Sequence, residues 1–180
     1  MADFSIRSAA EADIPAIAAI YADAVLTGTA TFELDPPSEA EMLRRFAGLA
    51  EGGFPYLVAE KAGAVLGYGY AGPYRPRIAY RNTIEDSVYL AKEARGRGIG
   101  SALLRELVRA SETRGFRQMI AVIGDSGHEA SIRLHQSAGF TLVGTFKDVG
   151  YKFGRWLDTV LMQRALGPGG GAPPNQSNQR

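Results

Sequence analysis

Apolar and polar residues alternate along 3–9, DFSIRSA, and a period of two predicts a strand. Over 11–25, EADIPAIAAIYADAV, the period lengthens: Ile14, Ile17, Ile20, Tyr21 and Ala24 recur at helical spacing, with Pro15 suited to a first turn. After the loop LTGTATFELDPP, Ser38 is placed as an N-cap and Glu41 as the other half of a capping box, opening a helix that stops at Gly52 and Gly53. FPYLVAEKAGAVLGYGYAGPY reads as two strands turning near Ala62 and Gly63, RPRIAYRN as an arginine-rich loop, and TIEDSVYLA as a strand. GSALLRELVRASETRG puts Leu103, Leu104, Leu107 and Val108 on one helical face and ends at Gly115. FRQMIAVI predicts a buried strand, GDSGHEASIRLHQSAGF a turn and a short helix with a glycine stop, and TLVGTFKDVGYKFGRWLDTVLMQRAL two last strands with a loop between. The elements mix α and β, which suits one sheet with helices on its faces. We expect one domain over 1–166 and a disordered tail over 167–180, where Gly, Pro and polar residues dominate.

Composition removes several functions. With 46% hydrophobic and 22% charged residues in a chain of 180, the protein reads as globular. A formal net charge of +1 gives no basic field for nucleic acid. The chain has no cysteine, hence no disulfide, thiolate nucleophile or zinc–thiolate site, and two histidines, His128 and His135, do not make a metal site. No apolar run approaches the ~18 residues of a membrane span. The N-terminus lacks a basic region followed by an apolar block. We therefore expect a cytoplasmic protein without a metal, a membrane or a nucleic-acid partner.

The chemistry begins at Arg95-Gly96-Arg97-Gly98-Ile99-Gly100, between a strand and a helix. Glycines let a ligand approach the main chain, successive N–H groups form an anion nest, and a helix start adds unpaired N–H groups and a positive dipole end. The turn therefore predicts a diphosphate cradle. It matches neither the dinucleotide nor the P-loop spacing. Its R-x-x-G-x-G, between VYL and SALL, resembles the coenzyme A pyrophosphate loop of the GNAT N-acetyltransferase superfamily. ASIRLHQSAGF, residues 130–140, is similar to a later motif of that superfamily, with His135 where many members have tyrosine. TIEDSVYL, MIAVIGDSG, SIRLHQSAGF and VGYKFGRWLDTVLMQ together resemble the phosphinothricin and methionine sulfoximine acetyltransferase group over roughly residues 4–165. The family commonly has asparagine where this chain has His128.

The resemblance implies an α/β (α+β) GNAT fold: a mixed, mostly antiparallel sheet of about six to seven strands with about four helices. It also implies acetyl transfer from acetyl-CoA to a primary amine, and a homodimer with Lys152, Phe153 and Trp156 near the interface or lining the pocket. The coenzyme set it implies runs through Val88, Tyr89 and Leu90, then Arg95, Gly96, Arg97, Gly98, Ile99, Gly100 and Ser101, then His128 and Ser131.

Such a reaction needs a proton acceptor for the amine and a donor for the developing oxyanion. Glu85 is the candidate base, at the position of the family's catalytic glutamate, with Asp86 as its rival. The Leu90 N–H is the candidate oxyanion donor, and His135 the candidate acid or polar helper near the sulfur. Along the strand, Glu85, Ser87 and Tyr89 share one face, and Asp86, Val88 and Leu90 the other. Arginine pairs bidentately with carboxylate and phosphinate. Arg75 and Arg81 are therefore expected to hold the substrate anion, with Tyr74 and Phe32 as walls. Two alternatives stay open: a protein or peptide acetyltransferase of the same fold, and a non-catalytic coenzyme A-binding module.

Overall fold

In the computed structural model residues 3–174 are described. β1 (Ser5–Ser8) leads through a short 3-10 turn into α1 (Ile14–Thr27), and α2 (Glu39–Glu51) precedes the hairpin of β2 (Tyr56–Lys61) and β3 (Ala64–Pro73). β4 (Thr83–Leu90), α3 (Ile99–Thr113) and β5 (Gln118–Gly124) form a strand–helix–strand crossover. α4 (Glu129–Ser137) and the long hairpin of β6 (Thr141–Lys152) and β7 (Arg155–Ala165) complete the chain. Among the described residues the sheet has seven strands in the order β1-β2-β3-β4-β5-β7-β6. Only β4 and β5 pair in parallel, as expected of strands joined through a helix. The expected GNAT architecture is thus observed.

The sheet separates two cores, and strand alternation decides which side chain enters which. Leu57 and Ala59 of β2 with Ile84 of β4 meet Leu103, Leu104 and Leu107 of α3. Tyr56 and Val58 of β2 with Tyr68 of β3 meet Ile17, Ile20 and Met42 of α1 and α2. Each buried leucine of α3 contributes about 1.5–3 kcal/mol. The phrase GYGYA in β3 follows from this geometry. A Cβ at Gly67 would collide with Leu90 and the Tyr89 carbonyl, so that face stays bare. The opposite face carries Tyr68 and Tyr70, stacked with Tyr56 of β2 at centroid distances of 5.8 and 5.1 Å.

Two sequence readings change in detail. Ser38 Oγ accepts from the Glu41 N–H at 3.2 Å, as a cap should. The Glu41 carboxylate, however, goes to Arg44 and Arg45, so only half of the capping box forms. Two guanidiniums outcompete one backbone N–H for a carboxylate. The arginine-rich loop carries a 3-10 turn, Ile78–Tyr80. The last loop is a two-residue turn, Phe153-Gly154, with φ of 52° and 73°, the left-handed pair a tight hairpin needs. Of the expected disordered tail, 175–180 lie outside the described residues. Residues 167–171 make turns on Leu166 and Pro168, and Arg117 Nη2 donates to the carbonyls of Ala172 and Pro173. Among the described residues, no helix is long and apolar enough to cross a membrane.

Candidate active site

β4 pairs with β5 from Thr83–Gln118 to Asp86–Ala121, and there the pairing ends. β4 continues along β3 as far as Leu90, and β5 continues along β7 as far as Gly124. The two strands therefore splay, opening the sheet beside residues 87–90. Successive N–H groups of a strand point to opposite edges. The Ala91 N–H is bound to Leu66 O at 3.0 Å on the β3 side, so the N–H groups of Leu90 and Val88 face the gap.

At the wide end of the gap, Lys92–Ala94 form a 3-10 turn and the chain reaches α3 through Gly96 and Gly98, at φ of 74° and 78°. Space above both glycines is open, so glycine is favoured there by the backbone conformation, not by neighbours. Ala102 N–H is bonded to Gly98 O, leaving those of Ile99, Gly100 and Ser101 without an acceptor inside the helix. These groups border a cleft of about 520 Å³ that also includes Arg95, Val88, Tyr89, Leu90, His128 and Ser131. Every expected coenzyme residue except Arg97 lines it; Arg97 is exposed outside the lining. His128 Nδ1 is buried without a partner. Burial, with the nearby charges of Arg95 and His135, holds this imidazole below its ordinary pKa against the pull of Asp125. A neutral ring can offer either a donor or an acceptor. A coenzyme with a diphosphate and an amide-bearing arm fits this set of groups.

A second cavity, of about 310 Å³, joins the first through residues they share: Ala30, Val88, Tyr89, His128, Ser131 and Leu134. It passes between β4 and β5 and so reaches both faces of the sheet. On the α1–α2 side it meets Glu85, Ser87, Tyr70, Thr31 and Phe32; on the α4 side, Asp86 and His135. Burial raises the Glu85 pKa, the neighbouring Asp86 charge raises it further, and Arg75 pulls it partly back. A carboxylate held in this way is a better proton acceptor near neutrality than a solvated one.

Asp86 has a different setting. It is 6% exposed, and its Oδ2 lies 3.0 Å from His135 Nε2, while its Oδ1 is buried without a partner. His135 is 5% exposed, and its Nδ1 donates to the Ser131 carbonyl at 2.7 Å. A carbonyl only accepts, so Nδ1 carries a hydrogen. Burial lowers the His135 pKa, but the Asp86 hydrogen bond and charge and the Ser131 carbonyl outweigh it, and the net shift is upward. Phe140, of the SAGF phrase, is 3% exposed and packs edge-on against this ring at 5.1 Å.

The arginine loop stands apart. Tyr74, Arg75 and Arg81 do not line this second cavity. Arg75 lies over the Tyr74 ring at 5.1 Å, and Arg81 Nη1 donates to Ile78 O. Arg75 reaches Glu85 through its charge alone. Lys152 is buried at 3% exposure, whereas Phe153 and Trp156 are 58% and 61% exposed. The sequence reading missed Thr31 and Tyr70. For Tyr70 a signal existed, since GYGY alternation puts both tyrosines on the face that carries Glu85.

A family model described as an acetyltransferase (GNAT) domain matches residues 6–161. The chain belongs to the GNAT acetyltransferases. It is 54% identical to the phosphinothricin N-acetyltransferase of Alcaligenes faecalis over 165 residues, 92% of this chain and 84% of that one. It is 45% identical to the L-methionine sulfoximine/L-methionine sulfone acetyltransferase of Pseudomonas aeruginosa, covering 94% of this chain and 98% of that one. The structure resembles that of a phosphinothricin acetyltransferase from Sinorhizobium meliloti in complex with acetyl-CoA. The TM-score is 0.94, with 52% identity and coverage of 97% and 94%. This acetyltransferase thus shares the fold of the Sinorhizobium meliloti enzyme over 97% of its own chain.

Proposed function

We propose that this acetyltransferase moves the acetyl group of acetyl-CoA to the amine of an amino-acid-like acceptor of the phosphinothricin or methionine sulfoximine type. The observation that carries this reading is the cavity through the splayed β4–β5 gap. It joins a glycine-built anion cradle on one side to a half-buried glutamate on the other. The relatives' activities support the acceptor class, and about 310 Å³ suits a molecule of amino-acid size.

Each residue then has a task. The cradle at 95–101 fixes the coenzyme, so that the acetyl group meets the amine in attack geometry. Glu85 takes the proton of the amine, and the Leu90 N–H faces the charge that develops on the acetyl oxygen. His135 stands on the opposite face of β4 with both nitrogens engaged. Delivering its proton to the leaving thiolate requires the contact with Asp86 to open. Arg75 and the rim loop attract the acceptor's anion by charge before it enters.

A second copy of the chain is proposed to cover the outer side of β6–β7. Tyr151, Phe153 and Trp156 are each more than half exposed there, with the Tyr151 and Trp156 rings edge-on at 5.2 Å. Such a cluster is the usual core of a lasting interface, and light scattering at micromolar protein should give a dimer mass. A cytoplasmic location accompanies the use of acetyl-CoA. One acetyltransferase domain over 1–166 is part of the proposal.

The function is tested by acetyl-CoA turnover with phosphinothricin, methionine sulfoximine, methionine sulfone, the common amino acids and short peptides. Turnover confined to amino-acid-sized amines is expected. Preference for peptides would turn the reading to protein acetylation, and coenzyme binding without turnover to a sensor.

A further inference from the structure

The segment 28–33 between α1 and α2 has no regular structure, yet it forms a wall of the acceptor cavity through Ala30, Thr31 and Phe32. It is held at several points. Thr29 Oγ1 donates to Asp125 Oδ2 at 3.1 Å, and Tyr21 OH lies 2.9 Å from Thr31 Oγ1. Glu33 accepts from Tyr21 and from Arg45. One hold comes from the far edge of the sheet: Lys152 Nζ donates to the Thr31 carbonyl at 2.9 Å.

The Phe32 ring rests in a seat cut for it. A Cβ at Gly124 of β5 or at Gly150 of β6 would collide with the ring. Gly150 and Lys152 are two residues apart on one strand and thus share a face, while Tyr151 between them points outward. The seat and the clamp therefore belong to the same stretch of β6. Lysine is among the residues least often buried, because its ammonium loses hydration. Burial indeed holds this one below its ordinary pKa, with Glu33 opposing. A methionine would fill the same space without that cost, but it could not bind the carbonyl.

We infer that Lys152 is a specificity-determining positioning residue of the acceptor cavity: by holding the Thr31 carbonyl it keeps Phe32 in the Gly124–Gly150 seat and so fixes the size of the amino acid admitted. The inference rests on the proposed amino-acid acceptor.

The test is turnover at saturating acetyl-CoA along a series of amino acids graded by side-chain size. It compares the parent, Lys152→Met, Gly150→Ala, Phe32→Ala and the Lys152→Met/Phe32→Ala pair. Lys152→Met and Gly150→Ala should each change the ratio of kcat/KM between the largest and smallest acceptors by about tenfold. KM for acetyl-CoA should stay within about twofold, since ground-state binding is altered only at the acceptor end. In the Phe32→Ala background, Lys152→Met should leave the acceptor ratio unchanged, because both act through one ring. An unchanged ratio in folded Lys152→Met, or full additivity in the pair, overturns the inference. Calorimetric binding of acetyl-CoA reports folding. If Lys152→Met fails to bind, Gly150→Ala decides: an unchanged ratio overturns the seat. A parent that acetylates no amino acid overturns the acceptor class and the inference together. A discriminating parent whose discrimination survives Lys152→Met overturns the inference alone.

Discussion

The coenzyme cleft and the acceptor cavity share β4 but are made of different material. The first is mostly main chain: two glycines at positive φ, the open N–H groups of the first turn of α3, and the N–H groups of Val88 and Leu90 facing the gap. Its parts lie within 88–101, apart from His128, Ser131 and the residues that close its rim. The second is mostly side chain. Phe32 comes from a loop, Tyr70 from β3, Glu85 from β4 and His135 from α4, with Lys152 of β6 behind the wall. Main-chain sites recognise what all users of a coenzyme share, its phosphates and amides. Side-chain sites recognise what differs between acceptors and can change one residue at a time. The same contrast appears across β4 itself. Glu85 faces the second cavity with no hydrogen-bond partner among the described residues, whereas Asp86 is locked against His135.

The contrast breaks first, and most severely, at Glu85. Glu85→Gln should lower kcat at neutral pH by about 10²–10⁴-fold, the usual worth of a general base. Burial and Asp86 raise the Glu85 pKa, so the acid limb of the parent pH–rate profile should lie above the ordinary carboxylate range. That limb should vanish in the variant, and the loss should shrink as free amine becomes abundant at high pH. An unchanged limb would move the proton transfer elsewhere.

Asp86→Ala should act on stability instead. It leaves His135 buried without its partner, at a cost of about 3–5 kcal/mol. The His135 pKa is raised in the folded state, so its contribution is complete below the unfolded value of about 6.5 and is lost as pH rises through the folded one. The parent Tm should show that decline, and Asp86→Ala should lack it. Identical pH profiles of Tm would dissolve the pair.

Gly98→Val tests the main-chain site. A β-branched residue at φ of 78° is strained by about 1–2 kcal/mol and crowds the approach to the N–H groups. Acetyl-CoA affinity by calorimetry should fall at least about tenfold, each 1.4 kcal/mol being one decade, with little effect on the acceptor ratio. The smallest effect is expected at Arg75. Because it reaches Glu85 only by charge, Arg75→Ala should let the Glu85 pKa climb, moving the acid limb upward with KM changed less than about threefold. A large rise in KM would place the guanidinium on the acceptor itself.

What could be read from sequence followed the same division. The shape of the 95–100 turn was legible because it lies in local backbone conformation, which glycine spacing and a following helix encode directly. Resemblance singled out Glu85 and His135, which the fold brings to one cavity, but the sequence left Glu85 and Asp86 as rivals. Their separation depends on which face of β4 meets α4, and that is a tertiary fact. The Ser38 cap was legible, yet the return bond from Glu41 was lost to Arg44 and Arg45, a competition that spacing cannot weigh.

The sequence by itself determined the alternation of strands and helices, the glycine turn before α3 and the apolar faces of α1 and α3, because each is written in residues near one another. Only the tertiary structure decided where β4 and β5 part, that Arg75 and Arg81 stay outside the cavity, and that a loop phenylalanine is seated by two glycines and a buried lysine. Lys152 and Thr31 stand 121 positions apart. No periodicity or spacing reaches that far: the contact exists because the edge hairpin folds back over the α1–α2 loop, and packing, not propensity, pays the cost of burying the charge.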